Sequence, residues 1–439
     1  MRIKNLFIYP FLLFLSIGFA QKTTKLDLKE ALDIAVRKSN EAVLASTKVQ
    51  TKNLELQSVK NIQYPDMKLS GQYLRLTNAN VNLKLNSNSS SSSNSSPKVN
   101  ELMLGQANVN FPIFNGFKLK NTIIASENLF KSEEAKYAHS KEEIAIKVVD
   151  YYANLYRTQK AVEFLSENLK SAKQRVTDFI NLENNGIIPR NDLLKVQLQQ
   201  SKLQLSLDEA VKNVSILNFY LVTYLHLPED FYIGIDENQF DGAKPILPIE
   251  NNEIVLKNRK DLLALTFIKK ANESGIKIAK SNYFPSLALV GGYTALSLQN
   301  VVSVTNAMNF GVGVSYNFAS VFKNKKEVQL AKSKVLETEQ AQAILTENIK
   351  IQVQQAIENF NISKKQSLVY KEAIDQAFEN FRIVKDKHEN GLATTNELLE
   401  ADVEQLNAKI NFANSRANIM LKYYEMLAAS GTLLASFNL

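Results

Sequence analysis

A ten-residue stretch occurs twice, and the distance between its copies constrains the fold more than any other feature of the chain. Asn185-Gly186-Ile187-Ile188-Pro189-Arg190-Asn191-Asp192-Leu193-Leu194 is followed 205 residues later by Asn390-Gly391-Leu392-Ala393-Thr394-Thr395-Asn396-Glu397-Leu398-Leu399. In each copy Asn-Gly supplies the left-handed residue that ends a helix, and the Asn five residues beyond the glycine is placed to cap the next one. Each copy therefore reads as the tight tip of a long two-helix arm.

The flanking residues define the arm. Ile144, Val148, Tyr151, Leu155, Thr158, Val162, Leu165, Leu169, Ala172, Val176 and Phe179 precede the first tip, and Leu193, Val196, Gln200, Leu203, Leu207, Ala210, Val214, Leu217, Leu221 and Tyr224 follow it. This 3–4 alternation is that of a coiled coil. The same register, with more small and polar residues, runs from Ile349 through Ser363 and Ser367 to Val384, and from Leu398 through Ser415 to Ala429. An ordinary helical bundle accounts poorly for the length. Residues 131–184 and 325–389, if helical throughout, extend roughly 80 to 100 Å at about 1.5 Å per residue.

Residues 1–20 carry Arg2 and Lys4, an apolar run over 6–19, and Gly18-Phe19-Ala20 before Gln21. That is the pattern of a cleaved secretory signal, and the run is short for a membrane anchor. The chain has no cysteine, which excludes disulfides and a lipidated N-terminal cysteine. The net charge of +8 is spread in mixed-sign runs such as Lys131-Ser132-Glu133-Glu134-Ala135-Lys136, a solvated helical surface and not a nucleic-acid footprint. No segment beyond the signal approaches eighteen consecutive apolar residues, so a membrane crossing requires strands.

In chain order, residues 26–61 read as helix, with Asp27 a fitting N-cap and Tyr64-Pro65 the stop. Met67, Leu69, Gly71 and Tyr73 then alternate with polar residues. After the Ser/Asn run 86–96, which reads as a mobile loop, Gly105, Ala107, Val109, Phe111 and Ile113 share one strand face. The second half repeats the order: Phe284-Pro285 answers Tyr64-Pro65, Leu287, Leu289, Gly291 and Tyr293 make one strand face, and Phe310, Val312, Val314, Tyr316 and Phe318 another. The organisation is a signal over 1–20, a first repeat over 21–230, a linker over 231–248 with a short strand at 231–235, and a second repeat over 249–439. Each repeat is helix, strand, strand, long helix, tip, long helix.

Four strands cannot close a barrel, yet strands of about nine to eleven residues suit a tilted bilayer crossing. Open edges in lipid would leave backbone groups unpaired, so the chain must oligomerise. Two, three or four copies would supply eight, twelve or sixteen strands. Tyr73, Phe111, Phe114, Tyr293, Phe310, Tyr316 and Phe318 are expected near strand ends, as in an interfacial aromatic girdle.

The duplicated order, the Tyr-Pro and Phe-Pro junctions, and above all Asn390 to Glu400-Ala401 closely resemble the TolC family of outer-membrane efflux proteins, whose tip reads Gly-x-x-(Thr/Ser)-x-x-Asp-Val-Leu-x-Ala. The resemblance covers nearly all of the chain after the signal. It implies an α+β membrane protein: a homotrimer whose four strands per chain form a twelve-stranded barrel in outer-membrane lipid, continuous with a periplasmic α-barrel of coiled-coil helices. It implies as partners a periplasmic adaptor, met at the tips by Asn185, Gly186, Pro189, Asn390, Gly391 and Thr394, and an inner-membrane pump or exporter. Glu397 and Glu400 match carboxylates that ring the entrance in that family, and Asp192 matches a residue that helps hold it closed. Lys195 stands where the second repeat has Glu400, and is expected to pair with Glu397 or Glu400 on a neighbouring helix. Ala393 and His388 depart from the family's basic and aromatic latch residues, and Gln21 from its acylated cysteine.

Enzymatic chemistry finds no support. His139, His226 and His388 lack partners at metal-ligand spacing, and the acidic run Asp236 to Gly242 does not fit a calcium loop, so neither cofactor nor metal is expected. The resulting expectation is a passive exit duct in an efflux or secretion assembly. The alternative is an adhesin-like coiled-coil surface protein without transport.

Overall fold

The computed structural model describes residues 23–80, 98–240 and 252–439. The signal, the Ser-rich run 86–96 and residues 241–248 of the linker lie outside them. In chain order the elements are β1 (Thr23–Lys25), α1 (Leu28–Lys38), α2 (Asn40–Asn61), β2 (Asp66–Asn80), β3 (Lys98–Asn115), α3 (Lys118–Asn184), α4 (Arg190–Tyr224), β4 (Tyr232–Gly234), α5 (Asn252–Asn258), α6 (Lys260–Ser281), β5 (Ser286–Leu298), β6 (Val302–Ser315), α7 (Ala319–Glu389), α8 (Thr395–Ala429) and α9 (Leu433–Ser436). The expected helix over 26–61 is broken at Ser39, whose extended backbone (ψ 148°) ends α1 and whose hydroxyl accepts the Ala42 N–H at 3.2 Å. Asp27 occupies the N-cap position without capping, because its carboxylate accepts from Gln239 instead.

Two compact units divide the chain, and each draws on both repeats. The first comprises Met1–Val43, Ser140–Asn251 and Ile351–Leu439. Its main core joins Leu28 and Leu32 of α1, Ile144, Val148 and Leu155 of α3, Leu221 of α4, Met420 and Leu427 of α8, and Leu433 of α9. Full burial of side chains this size stabilises by about 1.5–3 kcal/mol each. Tyr152 and Asn218 have specific partners there. The Tyr152 hydroxyl donates to the Leu26 carbonyl at 2.9 Å, and Asn218 both donates to the Phe231 carbonyl and accepts the Ile233 N–H, each at 2.9 Å. These bonds hold β1 and β4, a parallel pair in which the expected linker strand finds an N-terminal partner.

The coiled-coil residues of α3 and α4 are buried or half-buried as their spacing predicts, with Ile144, Val148, Leu155, Leu165, Leu169, Ala172 and Phe179 buried on α3 and Leu193, Val196, Leu203, Ala210, Val214 and Leu221 on α4. α8 departs from a simple seam. Leu398, Ala401, Leu406, Ala408, Ala413, Ser415 and Ala417 are all buried, because α8 faces α7 across the Ser415–Ser367 hydroxyl bond (3.1 Å) while Leu406 joins Leu165 of α3 and Leu203 of α4. Its run of small residues permits that close approach.

The second unit, Leu44–His139 and Asn252–Lys350, holds a four-stranded antiparallel sheet of order β2-β3-β5-β6. The repeats meet in it, since β3 of the first pairs with β5 of the second from Leu102↔Leu298 to Asn115↔Ser286. Register places Leu69, Ala107, Tyr293 and Met308 in one row, and Val109, Gly291 and Phe310 in another. This apolar face is open: Leu69 is 89% and Phe310 84% exposed. The opposite face carries the row Lys68, Asn108, Gly292 and Asn309.

Three expectations are corrected here. The strands run 13 to 18 residues, longer than nine to eleven. Ile113 does not continue the β3 face, because a bulge between Pro112 and Phe114 puts Phe114 opposite Leu287; proline has no N–H to give a ladder and settles at such bulges. Tyr73, Tyr293 and Phe310 lie inside their strands. The aromatic residues clustered where strands meet helices are Tyr64, Phe114, Phe117, Phe284, Tyr316, Phe318 and Phe322.

Gly116 makes the β3–α3 junction possible. Its φ is +64°, and an added Cβ would press on the Ser281 carbonyl oxygen and lie 2.9 Å from Phe284 Cβ. Gly116→Ala should therefore destabilise the protein by about 2 kcal/mol or more. Gly71→Ala, which meets nothing within 4 Å, should leave the thermal midpoint unchanged. Paired melting curves of the detergent-solubilised variants check this.

Candidate functional site: the helical tips

Both arms end in the same backbone device. At the first tip the Gly186 N–H reaches the Glu183 carbonyl and the Ile187 N–H the Leu182 carbonyl, both at 2.9 Å; at the second the Gly391 and Leu392 N–H groups reach His388 (3.0 Å) and Lys387 (2.8 Å). These are Schellman closures, with φ of +71° at Gly186 and +73° at Gly391. Asn185 and Asn390 each return an amide N–H to the carbonyl four residues back at 2.7 Å.

The helix starts beyond the glycines differ from expectation. Asn191 and Asn396 do not cap; the N-caps are Pro189 and Thr394. Thr394 forms a full capping box: its hydroxyl accepts the Glu397 N–H at 3.3 Å, and the Glu397 carboxylate accepts the Thr394 N–H at 2.6 Å and its hydroxyl at 2.8 Å. Those bonds hold the Glu397 carboxyl below its ordinary pKa, the backbone N–H contributing most. Pro189 offers no such acceptor, and Asp192 in the first turn of α4 complements the helix dipole there.

Of the four residues expected at the entrance, the structure pairs two. The Lys195 ammonium sits 3.0 Å from Asp192, one turn back on its own helix, and not on Glu397 or Glu400. The geometric reason is proximity, since an acid at i−3 is within reach of any lysine rotamer that lies along the helix. Glu397 is engaged by its own helix start. Glu400 is exposed, with no ion pair among the described contacts.

Between the two tips lies a cleft of about 1380 Å³ that Asp192, Lys195, His388 and Thr394 help to line. Inside it is a cluster that sequence reasoning missed. Asp402 of α8 is 3% exposed, and its carboxylate takes the Arg175 guanidinium at 2.9 Å and the Asn168 amide at 3.3 Å, both from α3. Nearby, His388 stacks on Phe179 with ring centroids 5.8 Å apart and lies 3.5 Å from the Thr395 hydroxyl. The charged cluster and the aromatic contact thus tie the arms beside the apolar contacts of Leu399 and Leu406. Asp402 and Arg175 each sit one residue beside a seam position, where a charge reads as a solvated flank. No group of acidic residues or histidines suited to a metal ion occurs among the described residues.

A family profile described as outer membrane efflux protein matches residues 62–216 and 253–432. The chain belongs to that family. It is an outer-membrane channel component of efflux systems, and both matched segments take in one tip and most of one arm. A TolC outer membrane protein of Vibrio cholerae is 21% identical over 330 residues, covering 70% of this chain and 72% of the relative. The fold is similar to that of the CmeC outer membrane channel of Campylobacter jejuni (TM-score 0.80, 18% identity, 92% of this chain and 86% of that one). It is also similar to the MtrE channel of Neisseria gonorrhoeae, solved in an open state (TM-score 0.76, 16% identity, 93% and 89%). Family membership supports the channel reading over the adhesin-like alternative.

Removing one partner of the buried pair should cost far more than removing both. Asp402→Leu strands the Arg175 charge and should destabilise by about 3 kcal/mol, while Arg175→Met with Asp402→Leu should recover most of it; urea unfolding of both variants tests this. Because the folded pKa of Glu397 is depressed, its stabilisation is present above the unfolded carboxyl pKa of about 4.3 and is lost as pH falls through the folded value. Thr394→Ala should lower stability by about 1 kcal/mol at neutral pH and flatten that acid-side dependence, read from melting temperatures at stepped pH.

Proposed function

We propose that the chain is a passive exit duct, assembled as a homotrimer and gated at its tips, for drugs, other small molecules or polypeptides expelled from a Gram-negative periplasm. The observation that carries the reading is the open-edged four-stranded sheet with one apolar and one small or polar face. Three copies supply twelve strands, an even number that lets every edge pair. Apolar residues exposed at heptad spacing, Leu198 and Leu205 on α4 and Ile362 and Val369 on α7, support side-by-side assembly of the arms as well.

In this reading residues 1–20 direct export and are removed, 21–230 and 249–439 are the two repeats, and 231–248 joins them. The tips at Asn185, Gly186, Pro189, Asn390, Gly391 and Thr394 dock a periplasmic adaptor, which links the duct to an inner-membrane pump or exporter that supplies the energy. Exposed Ile187 and Leu392, one at each tip, give the adaptor an apolar foothold. Glu397 and Glu400, one set per subunit, give the entrance a negative ring, and the Asp192–Lys195 pair sits on the facing arm. No residue has a catalytic role.

The charge of the ring is testable without disturbing the cap, because glutamine can replace glutamate in a capping box. Glu397→Gln with Glu400→Gln should weaken cation preference and change the conductance of single pores in planar bilayers. Unchanged conductance and selectivity would refute the ring.

A further inference from the structure

Helix starts in this chain follow two opposite charge rules. At the tips α4 and α8 begin with Asp192 and Glu397 in the first turn, as the helix dipole favours. Beside the sheet, α3 and α7 have no acidic residue in the first turn, and begin Lys118-Leu119-Lys120 and Ala319 to Lys323-Asn324-Lys325-Lys326. Contacts place both starts at one level. The Asn324 amide donates to the Ala279 carbonyl at 2.7 Å and the Ser320 hydroxyl to the Asn282 carbonyl at 2.8 Å, while Gly116 lies against Ser281, so α3 and α7 both begin beside the end of α6. The end of α6 adds Lys277 and Lys280.

These lysines are exposed, and none has an ion pair among the described contacts. Glu127 is held by Lys60 at 3.0 Å and Asp66 by Lys68 at 3.5 Å, so Glu273 and Glu327 are two carboxylates set among seven lysines. Exposed aromatic rings share the level, with Phe117 preceding Lys118 and Phe318 and Phe322 (85% exposed) preceding Lys323. Rings that tolerate a half-wet boundary and lysines that extend along an apolar surface toward charge are the composition of a lipid interface. Positive side chains placed against the positive dipole ends of α3 and α7 raise the local potential there, which favours an anion from outside the protein.

We infer that this belt binds the phosphate headgroups of anionic phospholipids in the leaflet on the helix side of the sheet, fixing the depth at which the sheet sits. The inference rests on the sheet being the membrane-spanning part. The full-length protein is reconstituted into vesicles of phosphatidylcholine alone or mixed with phosphatidylglycerol, extracted gently, and its retained lipid counted by native mass spectrometry. Three proteins are compared. One is unaltered, and the second has Lys118, Lys120, Lys323, Lys325 and Lys326 each changed to Gln. The third is a charge-matched control with Lys173, Lys202, Lys212, Lys365 and Lys371 changed to Gln.

The unaltered protein and the control should retain phosphatidylglycerol at least roughly threefold over its bulk fraction, with the preference falling at high salt. The belt variant should insert equally well into neutral vesicles and show no preference. Equal retention by the belt variant and the unaltered protein, or equal loss in the control, overturns the belt alone. Failure of all three to insert into neutral vesicles overturns the membrane-spanning reading, and the belt with it.

Discussion

An unpaired backbone is the constraint on which this architecture depends. β2 and β6 are long strands at the two edges of a sheet whose apolar face is open, and in lipid each unpaired N–H or C=O costs several kcal/mol. In water the same edges would template aggregation. Duplication produced this situation and also limits it. Because β3 and β5 pair across the repeat boundary, the four long strands form one sheet with two edges, where separate hairpins would have had four.

Much of this is legible in the sequence wherever a single period governs burial. Alternation in β2, β3, β5 and β6 gives the faces, and heptad spacing gives the seam of α3 with α4. Legibility fails where two signals compete for a residue. Thr394-Thr395-Asn396-Glu397 contains both a capping box and an asparagine suited to capping, and the box prevails because Thr394 and Glu397 satisfy two backbone donors reciprocally. The bulge at Ile113 was foreshadowed only by Pro112, and the Asp192–Lys195 pair by its spacing of three.

Other features depend on tertiary geometry that no local pattern encodes. Arg175 and Asp402 are 227 residues apart and meet only because α8 nestles against α3, an approach set by alanines and serines that in sequence look like a weakened seam. The small residues of the second arm do not weaken its packing uniformly. They let α8 sink between α7 and the first arm, so that α8 is buried on more than the one face its heptads predict.

The consequence is unequal along α7. Ile349, Val353, Ala356 and Phe360 are buried, whereas Tyr370 and Phe378 are exposed and Ile374, Phe381 and Val384 only half-covered. Turns with few buried apolar contacts have low local stability, so the tip half of α7 is the part of this arm that moves most cheaply. What secures it at the tip is directional: His388 on Phe179, and α8 held to α3 through Asp402. A buried ion pair contributes little net stability compared with an apolar core of the same volume, yet it specifies one geometry sharply. An arm fastened in this way has a defined resting position without the large free-energy cost of separation that a continuous leucine seam would impose. Those two properties would belong together in the proposed duct, whose entrance at the tips closes and opens.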